Sequence, residues 1–313
     1  MTKIVCSHYV LGSKKESLEE ICKENPGWDQ NKLLQKTGVK LRHILSETES
    51  PETLSIRAGK ECLNKLGNKD VDGIIYVTQS PSNPLPTRAC MLQNELGVSS
   101  NCLAFDINQG CAGFVYALSL ANSLINSNLA NRVLIICADY YSKYISKHDR
   151  TCRPIFSDAA AAVIIEKSKK FLIGPFIFKT DGSGGESLIV KEKNGIQSLY
   201  MDGPEVLKFS LKLVPQATYE LLRKAKMDFE DIDLFIFHQA SAVVLNKLQK
   251  KLNIDSSKWI KTIEYFGNTV SATIPIVLND LQKSNSLHKY KNILLMGFGV
   301  GLSEAGCIIS SKD

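Results

Sequence analysis

The chain has 313 residues, 44% of them hydrophobic and 22% charged, with 38 Lys and Arg against 32 Asp and Glu for a formal net charge of +6. That length suits two domains or one large duplicated domain, and the composition excludes intrinsic disorder. No apolar run approaches the ~18 residues a membrane-spanning helix needs, so the expectation is a cytoplasmic protein with no membrane association.

The basic residues are scattered. Their longest clusters, KSKK at 167–170 and KLQKK at 247–251, read as solvated faces rather than a nucleic-acid surface. The nine cysteines are odd in number and contain no CxxC pair. That pattern fits neither a disulfide framework nor a zinc site, and most should be small buried side chains in a reducing compartment.

The opening residues, TKIVCSHYVL, read as a strand and lack the long apolar core of a secretory signal. Further along, the chain repeats itself. VDGIIYVTQS at 71–80 returns as IDLFIFHQAS at 232–241, LQNELGVSS at 92–100 as LQKKLNIDS at 248–256, and NRVLII at 131–136 as KNILLM at 291–296. Three echoes in the same order indicate duplication, with halves at 1–170 and 171–313. In each half a β-branched run precedes an amphipathic helix. A second strand follows (LAFDI at 103–107, WIKTI at 259–263), then a small-residue turn and a long helix. A buried strand, VLIIC at 133–137 or ILLMG at 293–297, closes the unit. Such alternation predicts βαβ units, here in two packed sheets with helices between and outside, and places the site at strand C-terminal ends.

Three residues stand there. Cys111 follows LAFDI-N-Q-G and precedes a helical run, where unpaired N–H groups and the helix dipole favour a thiolate. Its neighbours Gly110, Ala112 and Gly113 let a substrate come close. His238 follows LFIF, and Asn268 precedes the run TVSATIPIVL. Singly, these read as a buried cysteine, a satisfied core histidine and a helix cap. Together, at equivalent strand ends, they read as one catalytic set. The segment GFGVG at 297–301 has the wrong glycine spacing for a nucleotide loop, and its backbone N–H groups suit an oxyanion hole.

The segments TGVKLRHI (37–44), DINQGCAGF (106–114), DR (149–150), FSDAAAAVII (156–165), FHQAS (237–241), GNTVSATIPIVL (267–278) and GFGVG (297–301) carry a resemblance that spans nearly the whole chain. In them the sequence resembles β-ketoacyl-acyl-carrier-protein synthase III, a condensing enzyme of the thiolase fold. The resemblance implies an α/β fold of two mixed sheets in α-β-α-β-α layers, and a cytoplasmic homodimer with no metal and no resident cofactor. Its substrates would be coenzyme A or phosphopantetheine thioesters, and its partners acyl-CoA and acyl-carrier protein. Cys111 then matches the acyl-carrying nucleophile, His238 and Asn268 the pair that binds the malonyl thioester carbonyl, and the N–H groups of Cys111 and Val300 the oxyanion hole. Gly299 and Gly301 fall beside the substrate, and Lys36 and Arg150 at its phosphate end.

The departures lie at the periphery. The family often has Trp and Arg near Lys32 and Lys36, and a further arginine at Val243. Lys36 can meet a phosphate only as a point charge, which favours a carrier-protein arm over coenzyme A. Leu85, in the loop 83–90, stands where the family often plugs the partner's acyl pocket with Phe. The N-Q-G before Cys111 is similar to homologues in polysaccharide or secondary pathways. An alternative activity is acyl transfer from Cys111 to an alcohol or amine, for which Asn268 has no use. An inactive partner subunit would have lost Cys111, and a hydroxymethylglutaryl-type base finds only Glu95 or Asp106, both badly placed.

Overall fold

The computed structural model describes residues 1–311. Its strands are β1 (Thr2–Leu11), β2 (Lys14–Ser17), β3 (Leu41–Ile44), β4 (Gly73–Val77), β5 (Leu103–Ile107), β6 (Arg132–Asp139) and β7 (Ala159–Lys167) in the first half. The second half holds β8 (Phe171–Thr180), β9 (Leu188–Lys193), β10 (Ile196–Met201), β11 (Leu234–Phe237), β12 (Asn292–Gly299) and β13 (Ser303–Ser311). The helices are α1 (Leu18–Glu24), α2 (Gln30–Thr37), α3 (Pro51–Leu66), α4 (Arg88–Leu96), α5 (Gly113–Asn126), α6 (Gly203–Ala225), α7 (Ala242–Lys251), α8 (Ile263–Phe266) and α9 (Thr273–Lys283). Among the described residues no helix is long and apolar enough to cross a membrane.

Two mixed sheets carry the duplication. The first runs β1-β7-β6-β4-β5 and the second β11-β12-β13-β8. β4 is parallel to β5 and β6, as β11 is to β12, and the remaining pairs are antiparallel. Alternation along these strands explains their unbroken apolar runs. Ile75 and Val77 face a central cluster, whereas Ile74 and Tyr76 face the outer one under α3 and α4. In β12, Ile293 and Leu295 point inward while Leu294 and Met296 meet α6 and α7. The central cluster is filled by Phe114, Leu118 and Ala121 of α5 and Ile274, Ile276 and Leu278 of α9. This is the expected layering.

One expected strand is absent. Of WIKTI, only Trp259 forms a bridge, to Phe235 of β11. The side chain of Gln239 explains the early ending: its Oε1 accepts the Thr262 N–H at 2.8 Å and its amide donates to the Phe237 carbonyl at 2.7 Å. A side-chain amide thus takes the place of the next ladder bonds, and the chain turns into α8. The hairpin β9–β10 was not expected either. It lays Leu188, Val190, Leu199 and Met201 over the cluster that contains Cys111.

Candidate active site

Cys111 lies in the turn between β5 and α5. The helix begins at Gly113 with Ala112 as its cap, so the thiol sits two residues before the helix rather than in its first turn. The GFGVG segment of the other half closes on it. A Cβ on Gly297 would fall 2.7 Å from the Cys111 carbonyl oxygen. A Cβ on Gly299, whose φ is +155°, would fall 2.8 Å from the Cys111 sulfur. Only glycine permits that approach.

The backbone N–H groups of Val300 and of Cys111 itself favour the charged form of the Cys111 sulfur. Burial nevertheless pushes the thiol up to about 12, and the nearby Asp139 carboxylate adds to the rise. The expected thiolate-favouring dipole is therefore outweighed, because desolvation grows with burial while the dipole's effect fades beyond the first helical turn. At neutral pH the resting side chain is a thiol.

His238 follows β11 and is fully buried, with the Phe298 ring edge-on at 5.6 Å. Its Nδ1 lies 2.8 Å from Thr273 Oγ1. Burial drives its pKa down to about 3, only partly opposed by the Val270 backbone, so the ring is neutral. Asn268 does not cap α9, whose cap position is Ala272. Instead its Oδ1 accepts the Val270 N–H at 2.9 Å, which turns its Nδ2 toward the Ala240 carbonyl at 3.2 Å and His238 Nε2 at 3.5 Å. Holding this turn puts Val270 at φ +54°, a left-handed conformation that costs a β-branched residue about 1–3 kcal/mol.

Cys111, His238, Asn268 and Gly299 line one cavity of about 100 Å³. Its walls are otherwise mostly apolar, with Ser210 and Ser241 among them, and the exposed Lys36 and the half-buried Val243 also line it. Val300 and Gly301 line a second cavity of about 300 Å³ together with Gln79, Asn108, Tyr141 and the β9–β10 hairpin. One expected residue is not brought to the site. Arg150 is exposed beside Cys22 and lines neither cavity. Leu85, expected to reach the partner's pocket rather than its own, is 82% exposed on its loop and lines neither. Glu95 and Asp106 are structural: Glu95 holds Arg88 through two hydrogen bonds, and Asp106 accepts the first N–H groups of α4.

Sequence reasoning missed Thr273 and Asp139. Asp139 ends β6, two residues beyond the strand end read from the sequence, and nothing in the run TVSAT marks Thr273 as a partner of His238.

Comparison with known proteins decides the family. The 3-oxoacyl-[acyl-carrier-protein] synthase III family matches residues 105–182, and its C-terminal part matches 222–311. The chain belongs to the 3-oxoacyl-[acyl-carrier-protein] synthase III family. It is 35% identical over 310 residues to the β-ketoacyl-[acyl-carrier-protein] synthase III of Clostridium perfringens, covering 95% of this chain and 94% of that protein. A crystal structure of a 3-oxoacyl-(acyl-carrier-protein) synthase III superposes with a TM-score of 0.93 at 36% identity, covering 99% of both chains. The priming β-ketosynthase of the R1128 polyketide pathway superposes with a TM-score of 0.92 at 26% identity, covering 100% of this chain and 96% of that one. The synthase III fold, with its condensing-enzyme architecture, thus extends over the whole described chain.

Proposed function

We propose that this synthase III condenses an acyl thioester with malonyl-acyl-carrier protein through Cys111, His238 and Asn268, releasing CO₂ and a 3-ketoacyl thioester. The observation that carries the reading is the convergence of one buried thiol and two side-chain nitrogens on a single cavity, with Asn268 Oδ1 already occupied.

Loading is a thioester exchange. The Cys111 sulfur attacks the acyl carbonyl, the donor's C–S bond breaks, and the departing thiolate takes up the proton that Cys111 gives away. No resident base is consumed, which suits a histidine held near pKa 3. The N–H groups of Cys111 and Val300 meet the oxyanion of each tetrahedral intermediate, and losing one such donor costs roughly 3–4 kcal/mol.

In the second half-reaction the malonyl C–CO₂ bond breaks and its electron pair moves into an enolate. His238 and Asn268, 3.5 Å apart at Nε2 and Nδ2, share that oxygen as two neutral donors. The enolate carbon then attacks the acyl carbonyl and expels the Cys111 sulfur as a thiolate, which takes a proton from water and returns to the resting thiol. With Lys36 as a point charge and Val243 apolar on the same cavity, a carrier-protein phosphopantetheine arm is the favoured donor over coenzyme A. The active unit in this reading is a cytoplasmic homodimer in which Leu85 of each copy plugs the other's acyl cavity.

The test is intact mass spectrometry with a panel of acyl-CoAs and acyl-carrier proteins, followed by trapping CO₂ on adding malonyl-carrier protein. Acyl mass on Cys111 with CO₂ release is expected. Acyl mass without CO₂ release would replace the synthase reading with acyl transfer to an alcohol or amine.

A further inference from the structure

Asp139 is a fully buried carboxylate at the C-terminal end of β6, and the reaction above gives it no part. One oxygen, Oδ1, accepts the Gln79 N–H at 2.8 Å. The other, Oδ2, accepts both the N–H of Ser271 at 3.3 Å and its hydroxyl. Ser271 belongs to the second half of the chain, so this one side chain ties the halves together.

What it ties down is the left-handed turn at Val270. That residue's N–H sets the Asn268 amide, and its carbonyl accepts the Thr273 hydroxyl that lies beside His238 Nδ1. Ser271 is the next residue along. With a β-branched residue at φ +54°, the turn has no conformational preference of its own for this shape and needs an outside hold. The same carboxylate reaches the cysteine side. Gln79 accepts the Tyr141 hydroxyl through Oε1, the atom that a Cβ on Gly110 would meet at 2.3 Å.

We propose that Asp139 is a positioning residue for decarboxylation, holding the Val270 turn through Ser271 so that Asn268 and His238 stay aimed at the cavity beside Cys111. This rests on the roles assigned to Asn268 and His238 above. Burial lifts the Asp139 carboxyl to about 6 against the opposing pull of its donors, so at neutral pH it accepts these hydrogen bonds mainly as a carboxylate.

The experiment compares Asp139→Asn, Ser271→Ala and Asn268→Ala in the full chain, measuring acyl loading by intact mass and CO₂ release from malonyl-carrier protein separately. Misplacing a donor by an ångström is enough to slow a step up to about 100-fold. Asp139→Asn is expected to load within about 3-fold of wild type, release CO₂ at least about 10-fold more slowly, and keep its KM for malonyl-carrier protein within about 3-fold. Ser271→Ala, which keeps the Ser271 N–H bond, is expected to shift the same step by less, and it decides the matter if Asp139→Asn does not fold. Equal loss of both half-reactions, or no loss in either, overturns the inference. Unimpaired CO₂ release by Asn268→Ala would instead overturn the underlying assignment, whatever Asp139→Asn does.

Discussion

The Thr273 hydroxyl stands 2.8 Å from Nδ1 of His238 and 3.2 Å from the Val270 carbonyl, with one proton to serve both. When it donates to Nδ1, the ring carries its proton on Nε2, facing Asn268 and the cavity. When it donates to Val270, Nδ1 keeps the proton and Nε2 presents a lone pair. Only the first arrangement makes His238 a donor to an enolate.

Replacing Thr273 with Val keeps the shape and removes that choice. Thr273→Val should slow CO₂ release by about 10- to 1,000-fold, as for loss of an oriented donor, and leave acyl loading within about 3-fold. Single-turnover measurement of each half-reaction checks it. Equal slowing of both steps would mean that Thr273 serves only packing.

Acid should act on stability through His238. Its pKa falls from the ordinary 6.5 to about 3 in the fold, so the unfolded chain binds a proton first. The stabilisation by the neutral ring is complete above pH 6.5 and is lost as pH falls from there toward 3. Urea unfolding of wild type and His238→Gln between pH 7 and 4.5 should show a steeper acid loss in the wild type. Parallel curves would contradict the assignment.

The Cys111 thiol, held at about 12, should resist alkylation. Iodoacetamide should modify it more slowly at pH 8 than it modifies the exposed Cys90. Peptide mapping after timed quenching gives the ratio, and faster labelling of Cys111 would show a thiolate in the resting protein.

Gly299 leaves no room for a methyl group, whose carbon would lie 2.8 Å from the Cys111 sulfur and 2.9 Å from its Cβ. Gly299→Ala should lower acyl loading by about 100-fold or more, because the attacking atom is displaced. Loading at the wild-type rate would show that the loop yields freely.

Glu304 is buried on β13 with neither carboxylate oxygen hydrogen-bonded. It stands opposite Lys179 across the β13–β8 pair, but Lys179 is ion-paired with Glu220 at 2.8 Å. Burial raises its pKa from 4.5 to about 7. The sign is opposite to that of His238: the protonated acid is tolerated at low pH, and stability falls as pH rises from 4.5 through 7. Glu304→Gln should therefore gain roughly 1–3 kcal/mol at pH 8 and little at pH 4 by urea unfolding. A loss at pH 8 would show that the charge is stabilising.

The sequence made the architecture legible wherever a residue's own neighbours decide its state. IIYV, LFIF and VLIIC are strands buried on both faces, and with LAFDI they place His238 and Cys111 just beyond strand ends, whereas Asn268 follows α8 rather than the strand expected there. WIKTI failed because a non-neighbouring amide, Gln239, ends the ladder. Asp139 was hidden because its meaning lies in a contact with Ser271, 132 residues away. Val270 was hidden because valine's own preference is for the extended region, and only the assembled site holds it elsewhere. Electrostatics misled at Cys111: the helix was expected, but the depth at which the sulfur lies comes from distant segments of both halves that pack around it.

The departure of residues 259–263 from the second sheet has a consequence for assembly. Ancestral symmetry would have given the chain two similar sticky margins, one per half. As it stands, β11 is fully buried and screened by Trp259 and the Gln239 amide, whereas β5 keeps a free margin with Leu103 41% exposed. In the homodimer proposed above, a β5 margin paired with its own copy about a two-fold axis would be used up in doing so, and with its former twin sealed, growth along these two margins would stop at two chains. In that reading, the broken internal symmetry is what would keep a duplicated sheet from polymerising.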